Sequence, residues 1–265
     1  MSTVKQIHDA LFDFAPASMK MEWDNVGLLC GHMDREVTKV LVALDPMPDV
    51  IDEAKQIGAE LIVTHHPLIF QPIKSVSDQT YDGKNLLALI ESGIAAINLH
   101  TNLDCAPGGV NDVLAGKLGL RDVHVLAPGG TDEKGREWGL IRYGYVNQTT
   151  ALDFADKVAE KLGCVGLRFA DGGRPVHKVA VGGGSCGSEI SDVLAAGCDT
   201  LVTADLKYNQ LQEAGHRGIN LIDAGHFETE NPVCEVLLCI LRENFPDLTV
   251  VMSKNHRSQT QFLRK

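Results

Sequence analysis

The stretch KVLVALDPMPDVIDEAKQIGAELIVTHH, residues 39–66, reads as strand, loop, helix ending at Gly58, and strand. Runs such as Leu61, Ile62 and Val63 have the composition of a strand buried on both faces of a parallel sheet. A second copy, KVAVGGGSCGSEISDVLAAGCDTLVTAD at 178–205, aligns with it at a constant offset of 139 without a gap. Lys39/Lys178, Val40/Val179, Val42/Val181, Ile51/Ile190, Gly58/Gly197, Val63/Val202 and Thr64/Thr203 are identical. Both copies are βαβ units. Each is followed by another helix and a third strand: NLLALIESG and IAAINLH in the first, LKYNQLQEAG and INLIDAG in the second.

Seven matches alone could be chance, but the conserved order of elements argues for an internal duplication. The expected architecture is α/β: two similar three-layer domains with right-handed crossovers and mostly parallel sheets. The approximate division is 1–126 and 127–265, with APGGTDEKGREW (127–138) as the one flexible connection. Strands are expected at 139–146 and 165–170, flanking a helix near 151–162 that Thr150 and Asp153 open at capping-box spacing.

Three strand ends then carry metal-competent side chains. The first is LIVTHHPLIF (61–70), where His65 and His66 precede Pro67, which cannot continue a central ladder. The second is INLHTNLDCAPGG, with His100 and Asp104; the third is LIDAGHFETENP, with Asp223, His226, Glu228 and Glu230. In open α/β sheets ligands gather beyond the carboxyl ends of strands. Because strand side chains alternate between faces, His65 and His66 are expected to serve separate ions. Imidazoles plus bridging carboxylates suit two divalent cations sharing oxygen ligands, with zinc, iron, manganese or nickel all compatible. Taken singly, each residue has a plainer role. Asp104 fits a turn, Glu230 fits the N-terminus of a helix beginning near Pro232, and Gly225 with Pro232 makes the His226–Glu230 segment a loop. His8, His32, His124, His177, His216 and His256 are read as structural. Jointly, the three strand ends favour a metal site.

A competing motif is Gly182-Gly183-Gly184-Ser185-Cys186-Gly187, which satisfies G-x-G-x-x-G after a strand, with Asp205 where an acidic ribose partner would fall. The aligned loop LDPMPD has no glycine, and too little chain follows for a full dinucleotide fold. A tight turn is the preferred reading, a phosphate contact near the helix start is second, and a nicotinamide oxidoreductase is third. Cys186 at that helix start has no partner base and is read as an ordinary thiol.

The chain has 265 residues and a net charge of −11, which disfavours a nucleic-acid partner. No segment approaches the ~18 apolar residues of a membrane span, and the N-terminus reads as an amphipathic helix without a signal-peptide core. Seven cysteines, an odd number without a C-x-x-C pair, point to reduced thiols in a cytoplasmic protein.

MEWDNVGLLCG (21–31), LIVTHHPLIF, INLHTNLDCAPGGVND (97–112), GGGSCGS (182–188), TADLKYN (203–209) and DAGHFETE (223–230) together resemble the Nif-three-like dinuclear-metal family, the GTP cyclohydrolase 1 type 2 homologues, over nearly the whole chain. The resemblance implies two intertwined α/β domains and a two-metal centre in the cleft between them. Its ligands would be His65, His66, Asp104, His226 and Glu230, with His100 as a further ligand or a neighbour of one. It also implies a ring-like homo-oligomer, typically a hexamer, and a cytoplasmic location. One element departs from the family: Ala204 replaces its glycine, and Asn209 stands where a histidine is common. The expected activity is metal-dependent hydrolysis of a small anionic or nucleotide substrate through a metal-bound hydroxide, with His100 or Glu228 moving protons. The alternative is a non-catalytic metal-binding, metal-delivery or regulatory scaffold protein.

Overall fold

In the computed structural model, which describes residues 1–263, the LIVT run is the middle strand of a five-stranded sheet. Leu61–Thr64 is fully buried and lies parallel to Lys39–Ala43 on one side and Ala95–Asn98 on the other. Thr249–Met252 extends the sheet in parallel beyond Lys39–Ala43, and Gly27–Cys30 closes the opposite edge antiparallel. The crossover helices Pro48–Ile57 and Tyr81–Ser92 end at Gly58 and Gly93, both left-handed, at φ +67 and +63. Glycine stops a helix there at no steric cost. Leu41, Ile51, Ala54, Ile62, Leu89 and Ala96 fill one core of this sheet. The Val4–Phe14 helix starts with a Thr3/Gln6 capping box, and Val233–Asn244 buries Val233, Leu237 and Leu241.

A six-stranded sheet runs in the order Arg168–Ala170, Asn220–Asp223, Thr200–Thr203, Val176–Val181, Ile141–Thr149, Arg121–Leu126. Its Val176–Val181, Thr200–Thr203 and Asn220–Asp223 strands are parallel, and the flanking pairs are antiparallel. The α/β class is therefore as expected: the first sheet is parallel except for Gly27–Cys30, whereas the second is parallel only at its centre, less than the mostly parallel sheet expected. The helix expected near 151–162 is Ala151–Leu162, with the Thr150 hydroxyl accepting from Asp153 N–H. Its Phe154, Ala155 and Val158 pack on Val179, Val202 and Ile222.

The chain divides into two compact units: Met1–Ala106 with Val233–Arg257, and Pro107–Pro232 with residues 258–263. The sequence-based division at 126/127 differs from this, for two physical reasons. Arg121–Leu126 is paired with Ile141–Thr149, so it goes with the second sheet. Thr249–Met252 is paired with Lys39–Ala43, so the chain returns to the first. Glu53 secures that return: its buried carboxylate accepts from Ser253 Oγ at 2.6 Å and from Lys254 N–H at 3.0 Å. Among the described residues no disulfide joins any of the cysteines. Among the described residues no helix is long and apolar enough to cross a membrane.

Candidate metal centre

Thr64 is the last strand residue of its segment, so His65 and His66 lie beyond the ladder. Strand alternation no longer governs them, so they need not point to opposite faces. Their rings lie 5.0 Å apart, and His100 joins them with ring centroids at 5.3 and 5.6 Å. One ring nitrogen from each of the three lies within 4.8 Å of the others. Asp104, on the short Thr101–Cys105 helix rather than in an open turn, brings Oδ1 to 3.6 Å from His65 Nε2. The first unit thus gathers His65, His66, His100 and Asp104.

Each of these imidazoles is braced at Nδ1. His66 Nδ1 donates to Asp45 Oδ1 at 2.6 Å, His100 Nδ1 to Asp24 Oδ1 at 2.8 Å, and His65 Nδ1 to the Leu99 carbonyl at 2.9 Å. A proton held on Nδ1 puts the basic lone pair on Nε2, the tautomer that ligates metal in carboxylate–histidine–metal triads. Asp24 is itself well fixed. Burial works to raise its carboxyl pKa, but hydrogen bonds from His100 and Thr101 outweigh it and hold the group far below the usual carboxylate range. It accepts from Thr101 N–H at 2.9 Å as well.

The second unit repeats the device. His226–Glu230 is a short helix rather than the loop read from Gly225 and Pro232. Gly225, at φ +91, lets it start abruptly after the strand, and one turn is complete before Pro232. His226 Nε2 and Glu230 Oε2 consequently meet across i, i+4 at 3.0 Å. His226 Nδ1 donates to Asp205 Oδ2 at 2.7 Å, and Asp205 holds the left-handed φ +53 that aims it there. This engagement weighs against the ribose-partner role that the competing motif would give Asp205. Asp223 is occupied by the Arg168 guanidinium and by Leu206 N–H. Glu228 lies against Gly225 and acts on the Cys164 thiol, which burial and then Glu228 push up to about 11.

The glycine loop serves this second cluster. Three of its N–H groups are already used: Gly183 donates to Asn111 Oδ1 at 2.7 Å, Gly184 to Thr229 Oγ1 at 3.0 Å, and Cys186 to Thr203 Oγ1 at 3.0 Å. An anion would have to displace three side chains to use them. Gly184, at φ +61, is instead where the Glu230 carboxylate lies: a Cβ there would sit 2.1 Å from Glu230 Oε1. The tight turn is the reading that the structure supports.

Reasoning from the sequence missed Asp24, Asp45, Asp205 in its observed role, and His256. Asp45 is brought to His66 by strand register, because Ala43 pairs with Thr64 and the bracing pair stands two residues beyond each. His256, read as merely structural, accepts from Leu44 N–H at 2.8 Å, and the Leu44 carbonyl accepts from His66 N–H at 2.9 Å. It therefore supports the turn that carries Asp45. Burial lowers its pKa, against the nearby Asp45 and Glu235.

The donor set fits divalent transition metals: neutral imidazoles with fixed tautomers and carboxylates beside them. A family model described as Duf34/NIF3 (NGG1p interacting factor 3) matches residues 2–259. A protein of Streptomyces coelicolor named GTP cyclohydrolase 1 type 2 homolog is 40% identical over 241 residues, covering 89% of this chain and 84% of its own. A Clostridium perfringens protein of the same name is 31% identical over 262 residues, covering 98% and 99%. The crystal structure of a Bacillus cereus protein related to NIF3 superposes with a TM-score of 0.91 at 26% identity, covering 99% of both chains. A Staphylococcus aureus hypothetical protein gives 0.90 at 30%, covering 98% and 99%.

Proposed function

We propose that this chain, which belongs to the Duf34/NIF3 family, binds two divalent cations through His65, His66, Asp104, His226 and Glu230 and hydrolyses a small anionic or nucleotide substrate. The observation that carries this reading is the uniform bracing of four imidazoles at Nδ1, three by carboxylates and one by a carbonyl. A structural histidine can also bond through Nδ1, as His177 does to the Val146 carbonyl at 2.7 Å, so the weight lies in three of the four being braced by carboxylates. Four fixed alike match what metal ligation demands. The relatives' printed name agrees with hydrolytic chemistry on a nucleotide.

When bound, the cations supply Lewis acidity and lower the pKa of water towards neutrality. The chain's own residues do the rest. Asp45, Asp24 and Asp205 hold the imidazoles in ligating orientation, and Asp104 and Glu230 supply negative charge to balance the cations. His100, paired with the ionised Asp24, is the group suited to hold or pass a proton at Nε2. Glu228, lying against Gly225, is less suited. The bound metals, drawn from zinc, iron, manganese or nickel, and a self-assembled ring in the cytoplasm remain part of the same proposal.

The test is metal analysis of untagged protein followed by assay against GTP and a panel of phosphodiesters. Two equivalents per chain, loss of at least one in Asp104→Ala or Glu230→Ala, and turnover abolished by His65→Ala would support the reading. Trace metal in native and reconstituted protein alike would reject it. Full metal with no turnover favours the scaffold or delivery alternative.

A further inference from the structure

Trp23 and Phe70 are large apolar rings, and they are 63% and 48% exposed. They come from segments 47 residues apart in the chain, yet their centroids lie 5.8 Å apart at an interplanar angle of 74°. Each also meets the His100 ring edge-on, at 6.1 and 6.0 Å. At these separations the three rings are in direct contact, so they form a continuous wall rather than a cage with room for an ammonium group.

The backbones carrying the two rings are tied down from several directions. Asn25 Nδ2 donates to the Ile69 carbonyl at 2.8 Å, joining one segment to the other. Met21 N–H donates to Thr101 Oγ1 at 2.9 Å, and Asn98 Nδ2 to the Asn25 carbonyl at 3.0 Å. Asp24, next to Trp23, is fully buried at its side chain and holds His100. Leu68, two residues before Phe70, is anchored in the core. The rings are thus displayed on a rigid frame, in contact with a candidate metal-site histidine, and this pre-organisation lowers the cost of binding a flat partner.

We infer that Trp23 and Phe70 form an aromatic platform on which the planar heteroaromatic ring of the substrate stacks, leaving its anionic part to reach the cations that the neighbouring imidazoles would hold. The inference rests on the proposed function and narrows its substrate class to molecules bearing a nucleobase-like ring. Stacking on an exposed indole or phenyl face is tolerant of the base because every base offers a π-face.

Calorimetric titration of metal-loaded, full-length protein with AMP and with ribose 5-phosphate, which lacks the ring, tests this. AMP is expected to bind at least about tenfold more tightly. Trp23→Ala and Phe70→Ala should each weaken AMP about tenfold and leave ribose 5-phosphate and metal content unchanged, while Trp23→Phe keeps most of the AMP affinity. Equal affinity of the wild type for both ligands would overturn the inference. So would a parallel loss of both in the variants, or a change of subunit number in Trp23→Ala with AMP binding intact, which would make the rings an interface. Metal content separates the two readings: failure to take up metal rejects the proposed function, whereas full uptake without ring preference rejects the platform alone.

Discussion

Replacing Gly184 by alanine tests the link between the glycine loop and the ligands. The backbone there stands at φ +61, and a Cβ would lie 2.1 Å from Glu230 Oε1 and 3.2 Å from His226 Nε2. Two effects follow. A non-glycine residue in the left-handed region costs about 1–2 kcal/mol. The clash is a separate matter, because the carboxylate must leave its position for the methyl group to fit. Gly163 isolates the first effect: it has φ +70 and nothing within 4 Å of its would-be Cβ. Both variants, melted free of metal, should lose roughly 2–8 °C in Tm. Only Gly184→Ala should also lose metal affinity, by about 10–100-fold, the scale on which displaced groups of a metal site are felt. Zinc titration of chelator-treated protein reads that difference. If Gly184→Ala titrates like Gly163→Ala, Glu230 does not bind metal from the position seen here and the reasoning fails.

The bracing carboxylates make a second prediction: Asp45→Asn and Asp205→Asn should each weaken metal binding about 10–100-fold at unchanged secondary structure, as read by the same titration with circular dichroism. Bound metal should stabilise the fold by mass action, about 2.7 kcal/mol at a hundredfold excess over Kd, so chelation should lower Tm reversibly; a Tm indifferent to chelator and to added metal would contradict this. Glu53 gives the pH dependence. Burial raises its carboxyl pKa, but hydrogen bonds from Lys254, Ser253 and Asn255 prevail and lower it below its ordinary value of 4.5. Its contribution is therefore complete above pH 4.5 and is lost as pH falls through the lower folded value, so urea midpoints of wild type and Glu53→Gln should differ at pH 7 and converge in acid. In the core, Phe154→Ala should cost about 3–5 kcal/mol in urea unfolding, since the ring is buried against Val179, Val202 and Ile222.

The fold was legible wherever local pattern and burial agree. The LIVT and LVT runs are strands buried on both faces, and Gly58, Gly93 and Gly163 end helices in the left-handed region. The repeat put three parallel strands in each sheet but could not show which later segment would complete the first one. Thr249–Met252 has no neighbour in sequence that marks its pairing with Lys39–Ala43. At the site, the His-His pair and the late His and Glu could be named from composition at strand ends. Their partners could not. Asp45 reaches His66 and Asp24 reaches His100 only through strand register and a hydrogen-bonded turn. The short helix at His226 was obscured because Gly225 and Pro232 usually bound loops, whereas a single turn fits between them.

The late return of the chain has a consequence for synthesis. Until Thr249–Met252 emerges, Lys39–Ala43 is an uncovered outer strand of buried-type residues, the kind of exposed ladder that invites pairing with other chains. About 150 residues separate the end of Ala95–Asn98 from that last strand, so at ordinary translation speed the nascent sheet waits roughly 8–30 s for its seal. Chaperone dependence and inclusion-body formation should accordingly respond to the final thirty or so residues more than to any comparable stretch of the Pro107–Pro232 insertion.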